Sequence, residues 1–287
     1  MNQQFTNQTL EANKSKKHYI FISDIHGNIE TLELIKKARA DYPDAQLVAG
    51  GDYLDGRWDV KPVIDYLQEA ANNDNAVILK GNHEQLFLNY AQEQEYQAGI
   101  WFYNGGALSL DSLYGRELEP DEIRQTEYYQ FFKKLPIMYE TPHIIFVHAG
   151  IRPDKNYNNP DTYDKLDICH GKYDYDFYRL WARKSYWVNE EGYFAHNHTG
   201  KVIVTGHTPT CVIKGKFDDG RKLEQLPMTA CRVRVIDYPG EPARIFTDGG
   251  SHSNPALYPH NDGNVVVLDE RGKIEQIYTY QNTLLEN

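Results

Sequence analysis

The sequence predicts an α/β fold built on buried strands whose carboxyl ends open into polar loops. Two observations lead there. Short apolar, β-prone runs recur along the chain, and each is followed at once by a loop carrying Asp, His, Asn or Gly. Between the first three runs lie segments with helical spacing, which makes the order β-α-β-α-β. Runs this short and apolar fit strands covered on both faces. In open α/β sheets, ligand sites collect beyond the carboxyl ends of such strands.

Taken in order, Tyr19–Ser23 leads into Asp24-Ile25-His26-Gly27-Asn28, and Gln46–Ala49 leads into Gly50-Gly51-Asp52-Tyr53-Leu54-Asp55. Ala76–Leu79 precedes Gly81-Asn82-His83-Glu84, Ile144–Val147 precedes His148-Ala149-Gly150, and Val202–Thr205 precedes Gly206-His207-Thr208-Pro209. Ile29–Arg39, Val60–Ala71 and Gln85–Gln97 read as helices, and Trp101–Gly106 as a helix start or turn. From Arg232 onward the runs Val233–Ile236, Val265–Leu268 and Ile274–Tyr280, with a turn at Glu270–Gly272, predict a second, more antiparallel sheet. Asp154–Asp176, dense in Tyr, Asp and Asn, reads as a long surface loop.

The 287 residues, 40% of them hydrophobic, can bury a substantial core. We expect a flexible tail over residues 1–17, which is polar and lacks the apolar stretch of a secretory signal, followed by one catalytic domain over 18–287. A net charge of -11 without any basic stripe argues against nucleic acid as a partner. No segment reaches the apolar length of a membrane span. Three widely spaced cysteines, Cys169, Cys211 and Cys231, indicate neither a disulfide framework nor a thiolate zinc site, and suit a reducing, cytoplasmic setting.

Asp24, His26, Asp52, Asn82, His148 and His207 offer the carboxylate, imidazole and amide ligands that hard or borderline divalent metals take. A single Asp-x-His would mean little; five loops that each carry such a group point to a shared centre. Asp52 is the candidate bridge. A carboxylate between two cations holds them about 3.5–4 Å apart, close enough to share one hydroxide and polarise a phosphoryl oxygen. His83, beside Asn82, is placed to protonate a leaving alkoxide, with Asp55 to hold its ring in the acidic form. Asp55 has an alternative as a turn carboxylate capping the next helix. His196, His198 and His252 match no ligand block and read as loop residues.

These blocks in this order, together with Trp101–Gly106, Phe131–Pro136 and Leu180–Arg183, resemble the phosphoprotein phosphatase branch of the calcineurin-like metallophosphoesterases, particularly its bacterial and phage-type members. The resemblance spans roughly residues 18–270 and implies two mixed sheets in a sandwich flanked by helices. It further implies one metal on Asp24, His26 and Asp52, a second on Asp52, Asn82, His148 and His207, and His83 as the acid oriented by Asp55. Manganese, or iron with zinc, is the implied ion pair. Arg183 is implied to bind the substrate phosphate, its alternative being a surface arginine beside Trp181. The family's Asp-Arg-Gly is replaced here by Asp55-Gly56-Arg57, so Arg57 either still reaches phosphate through a rebuilt loop or faces solvent.

The resulting expectation is a phosphomonoesterase acting on phosphoserine or phosphothreonine in proteins, with phosphotyrosine left open beside them. Its runner-up is a symmetric dinucleoside polyphosphate hydrolase, since the blocks do not discriminate and the many tyrosines offer a shelf for a base. A non-catalytic phosphate-binding module ranks low, because every ligand position and the acid are filled by competent residues. A nuclease is disfavoured by the charge.

Overall fold

The computed structural model describes residues 10–11, 18–73, 76–93, 95–151, 175–187, 200–216, 222–254, 256–258 and 261–280. Of the expected tail it describes Leu10–Glu11, a short strand β1 that pairs in parallel with β5 (Met138–Glu140). The first three predicted strands appear as β2 (His18–Ile22), β3 (Gln46–Ala49) and β4 (Ala76–Ile78), mutually parallel and joined by α1 (Ile29–Asp41) and α2 (Val60–Asn72). The side chain of Asn28 starts α1 by accepting from the Thr31 amide at 3.2 Å.

Two of the predicted polar-ended strands lie elsewhere. β6 (Ile144–Val147) and β7 (Val202–Thr205) are parallel neighbours in a second sheet. The late strands do not form a sheet of their own, as the sequence reading expected. β10 (Arg234–Ile236) and β11 (Arg244–Phe246) complete the six-stranded sheet in the order β1-β5-β6-β7-β11-β10. β12 (Val265–Asp269) and β13 (Ile274–Tyr278) instead extend the first sheet antiparallel, in the order β13-β12-β2-β3-β4. A small two-stranded sheet, β8 (Gly215–Lys216) with β9 (Lys222–Leu223), stands apart. Local β-propensity found β10, β12 and β13 but not the short β8, β9 and β11, and partner choice depends on which face each strand can bury, which is a long-range matter.

The strands alternate strictly, and the alternation explains the sandwich. In β2, Tyr19 and Phe21 face the second sheet while Ile20 and Ile22 face the helices; in β12, Val266 and Leu268 point inward and Val265 and Val267 outward. From the other side Ile144, Phe146 and Val204 fill the same interior. Phe146 stacks on Phe21 at 5.5 Å between ring centroids, across the two sheets.

A helical cap replaces the single predicted helix 85–97. α3 (Asn82–Ala91) ends in a turn where Glu93 has a φ of 60°, and α4 (Glu95–Tyr103) begins beyond it. Trp101 therefore lies inside a helix, and the turn is confined to Asn104 and Gly105 before α5 (Gly106–Tyr114). α6 (Pro120–Arg124) and α7 (Glu127–Lys134) finish the cap. Most of the segment Asp154–Asp176 is outside the described residues; its last two residues open α8 (Tyr175–Trp181), which precedes α9 (Lys184–Trp187).

Candidate active site

Asp24 follows β2, Asp52 follows β3, Asn82 begins α3 after β4, His148 follows β6 and His207 follows β7. All five, with His26, are buried. Two sheets rather than one deliver these loops to a common edge, where they form two triads: Asp24, His26 and Asp52, and Asp52, His148 and His207. Asp52 belongs to both. Asn82 joins the second through its Oδ1, 2.9 Å from His148 Nε2.

Close backbone approach makes this possible. A Cβ on Gly81 would stand 2.1 Å from Asp52 Oδ1, and one on Gly206 would stand 2.0 Å from Asp24 Oδ2. Asp52 Oδ1 instead accepts from the His83 amide at 3.0 Å, and both Asp24 oxygens accept from the His207 amide. Asp24, His26, Asp52, Asp55 and His207 all have left-handed backbones, with φ between 49° and 66°, which non-glycine residues adopt at a cost of about 1–2 kcal/mol.

The donor set fits divalent cations. His26 Nδ1 lies 2.7 Å from the Leu54 carbonyl and His148 Nδ1 2.9 Å from the Gly50 carbonyl. A carbonyl can only accept, so each Nδ1 carries a proton and each Nε2 is left to face a cation, the usual arrangement of a metal-binding imidazole. Without a cation, burial would lower the His148 pKa, but Asp52 and Asp24 outweigh it and raise it to about 9, so a bound metal would take the place of its Nε2 proton. His148 Nε2 has three neighbours: Asn82 Oδ1, His207 Nδ1 at 3.1 Å and Asp52 Oδ2 at 3.2 Å. Such separations suit adjacent ligand atoms around a cation whose bonds are about 2.1 Å long. His207 Nε2 is buried without a hydrogen-bond partner among the described residues.

Burial pushes the Asp24 carboxyl up to about 6, with His148 opposing and Asp52 adding to the rise. Burial would raise Asp52 as well, but His148 and His83 hold it well below the usual carboxylate range. Burial, then His252 and His83, keeps His26 neutral by holding its pKa well below the ordinary value. Acidic and neutral donors thus share one dry pocket, and cations bound there would relieve the repulsion between the carboxylates.

Beside this cluster His83 Nδ1 contacts Asp55 Oδ2 at 2.5 Å. Burial alone would lower the His83 pKa; Asp52 and Asp55 outweigh it and raise it to about 9. Asp55 does not cap α2. Its carboxylate also accepts from Trp101 Nε1 at 3.2 Å and Ser109 Oγ at 2.6 Å. Ser109, 54 residues away, carries no sequence signal, whereas Glu84 does, as the third residue after Gly81. Glu84 accepts the amides of Gly81, Asp52, Tyr53 and Leu54.

The two arginines differ. Arg183 Nη1 donates to the His207 carbonyl at 3.0 Å, which sets its guanidinium beside the cluster. Arg57 donates to the carbonyls of Ser251 at 3.3 Å and Asn261 at 3.2 Å, spending its fork on the loop after β11. That loop brings in His252, a loop residue as read, yet one whose ring lies 4.7 Å from His26 and 5.1 Å from His83. Asp248 is also buried nearby; burial and the Asp24 charge push it well above the usual range. Neither has a sequence signal, because both follow β11, a three-residue strand that the sequence reading did not find. His196 and His198 are outside the described residues.

Residues 17–229 match the calcineurin-like phosphoesterase family. The chain belongs to this family. The resemblance read from the motif blocks therefore holds. The phosphoesterase is 31% identical over 153 residues to Shewanella-like protein phosphatase 1 from Plasmodium berghei (strain Anka), a match covering 46% of this chain and 38% of that protein. It thus spans well under half the length of that relative. Among solved structures it resembles a protein serine/threonine phosphatase from Saccharomyces cerevisiae, with a TM-score of 0.54, 14% identity and 94% and 82% of the two chains covered. It also resembles a provisionally assigned diadenosine tetraphosphatase, with a TM-score of 0.53, 15% identity and 94% and 97% covered. At these identities the structures show a shared fold. No helix among the described residues is long and apolar enough to cross a membrane.

Titration of the metal-free phosphoesterase with Mn²⁺ should reveal two bound ions per chain. Asp52→Asn should weaken both by at least about a hundredfold, more than the loss of an outer partner costs. A variant that loses one ion and keeps the other at full affinity would show that Asp52 is not shared.

Proposed function

We propose that this phosphoesterase hydrolyses phosphomonoesters, with phosphoserine and phosphothreonine in proteins as its substrates. The observation that carries the reading is the His83–Asp55 pair set against two metal-competent triads that share Asp52. Resemblance to a protein phosphatase by sequence supports a protein substrate. Asp24, His26 and Asp52 would hold one cation, and Asp52, Asn82, His148 and His207 the other. A ligand set of oxygens and imidazoles without thiolate suits manganese first, then iron or zinc. When bound, two such ions supply Lewis acidity to water and to the phosphoryl oxygens.

The chain's own residues do the rest. Arg183 lies next to His207 and grips phosphate oxygens. His83 donates its Nε2 proton to the departing serine or threonine oxygen, while Asp55 holds Nδ1 and keeps the ring charged. Trp101 and Ser109 fix the Asp55 carboxylate, so the acid cannot rotate away from the cluster.

His83→Asn should retain both ions and lose turnover by about 10²–10⁴-fold on a phosphoserine peptide. The loss should shrink on p-nitrophenyl phosphate, whose leaving group departs with little need of a proton. Equal losses on both substrates would remove His83 from the acid role. A dinucleoside tetraphosphate assayed alongside tests the competing substrate: its turnover without peptide turnover would overturn the protein-phosphatase reading.

The acid works only while His83 is protonated, so activity persists below its raised pKa and falls as pH rises through that value. Asp55→Asn removes one of the three carboxylates that raise it, the one hydrogen-bonded to the ring. The alkaline limb of kcat/KM should therefore move to lower pH. A limb that stays in place in this variant would show that Asp55 does not tune the acid.

Arg183→Lys should cost on the order of tenfold or more in kcat/KM, since an ammonium cannot replace a forked pair of charged bonds worth about 1.5–3 kcal/mol. Arg57→Lys should cost much less on a small phosphate ester, because its guanidinium already serves backbone carbonyls. The reverse ranking would make Arg57 the phosphate clamp.

A further inference from the structure

Three of the four large hydrophobic side chains exposed among the described residues stand on the loop after β3, at the end of α4 and on the loop after β11. Trp58, Tyr103 and Leu257 are 69%, 91% and 67% exposed. Exposed apolar side chains are unremarkable when scattered singly. Here the three segments that carry them are tied to one another. Gly105 packs so closely on the Asp55–Gly56 turn that a Cβ would lie 3.2 Å from the Gly56 amide. His252 Nε2 donates to the Asn104 carbonyl at 3.1 Å, and Arg57 is bonded to the Ser251 and Asn261 carbonyls. The His252 ring, in turn, lies against His26 and His83.

The position of the acid says what crosses these loops. In an in-line displacement the leaving oxygen departs beside the proton donor, so its substituent extends over the His83 side of the site. For a phosphoserine that substituent is the peptide chain and the residues flanking it. Charge decides against the alternative of a second nucleotide. The further phosphates of a dinucleotide would need cations on this side, and Arg57 is the only Lys or Arg among the described residues of these loops. Its guanidinium is committed to two carbonyls.

We propose that Trp58, Tyr103 and Leu257 form a subsite for an apolar residue flanking the phosphorylated serine or threonine of a protein substrate. This rests on the phosphoprotein reading above. It assigns specificity to a rim held by His252 and Arg57, which act as positioning residues for the loops.

The test uses the Mn²⁺-loaded full chain and two phosphoserine peptides that differ only in the adjacent residues, Phe and Leu in one, Asp and Gly in the other. Wild-type enzyme should favour the apolar peptide by about tenfold or more in kcat/KM. The triple variant Trp58→Ala, Tyr103→Ala, Leu257→Ala should lose that preference, with its kcat/KM on the apolar peptide falling relative to p-nitrophenyl phosphate, mainly through KM. Its Mn²⁺ stoichiometry checks folding, and Tyr103→Ala alone should show a smaller loss of the same sign if the triple variant is unstable. Equal rates on the two peptides in wild-type enzyme, or a preference that survives all the substitutions, would overturn the subsite while leaving the phosphatase reading intact. Failure to cleave either peptide while a dinucleoside tetraphosphate is cleaved would overturn both. A loss confined to the dinucleotide would give the rim to a base and overturn the proposed occupant.

Discussion

Four backbone amides converge on the buried carboxylate of Glu84, and the rest of the site depends on that contact. A carboxylate in a dry interior is costly unless its oxygens are satisfied. Here the amides of Gly81, Asp52, Tyr53 and Leu54 satisfy them. The effect is to clamp the loop after β3 onto the start of α3. With that loop held, Asp52 meets both triads, Asp55 reaches His83, and the Leu54 carbonyl fixes the His26 ring.

The clamp also explains how the strain is carried. Five of the site's side chains stand on left-handed backbone, a conformation that persists only where the surroundings over-determine it. The sandwich supplies that surrounding. Strands buried on both faces cannot slide without exposing Phe21, Phe146 or Val266, so the loops at their ends are anchored to a rigid edge. Rigid anchoring suits a centre whose donor atoms must be spaced before any cation arrives.

Beside this core the chain carries a second arrangement. The order Asp55-Gly56-Arg57 turns an arginine toward the loop after β11, and Arg57 becomes a brace for that loop. The same brace presents His252 to His83 and leaves Trp58 and Leu257 outside. Arg57 thus serves to join two loops, while Asp52 and Asp55 beside it keep their contacts with the buried histidines.

The sequence by itself determined the α/β class, the run of polar-ended strands and the candidate ligand set. All of these are written in short windows: an apolar run needs only its own composition to be a strand, and a ligand only its side-chain chemistry. The tertiary structure alone decided that five strand ends come from two sheets, that the last strands divide between them, and that helix 85–97 breaks near Glu93. It alone decided too that Ser109 and Trp101 hold Asp55, that Arg57 and Arg183 part company, and that His252 lies against His83. Those outcomes join residues up to about two hundred positions apart, and such pairings are set by which surfaces can be buried together, a property no local window contains.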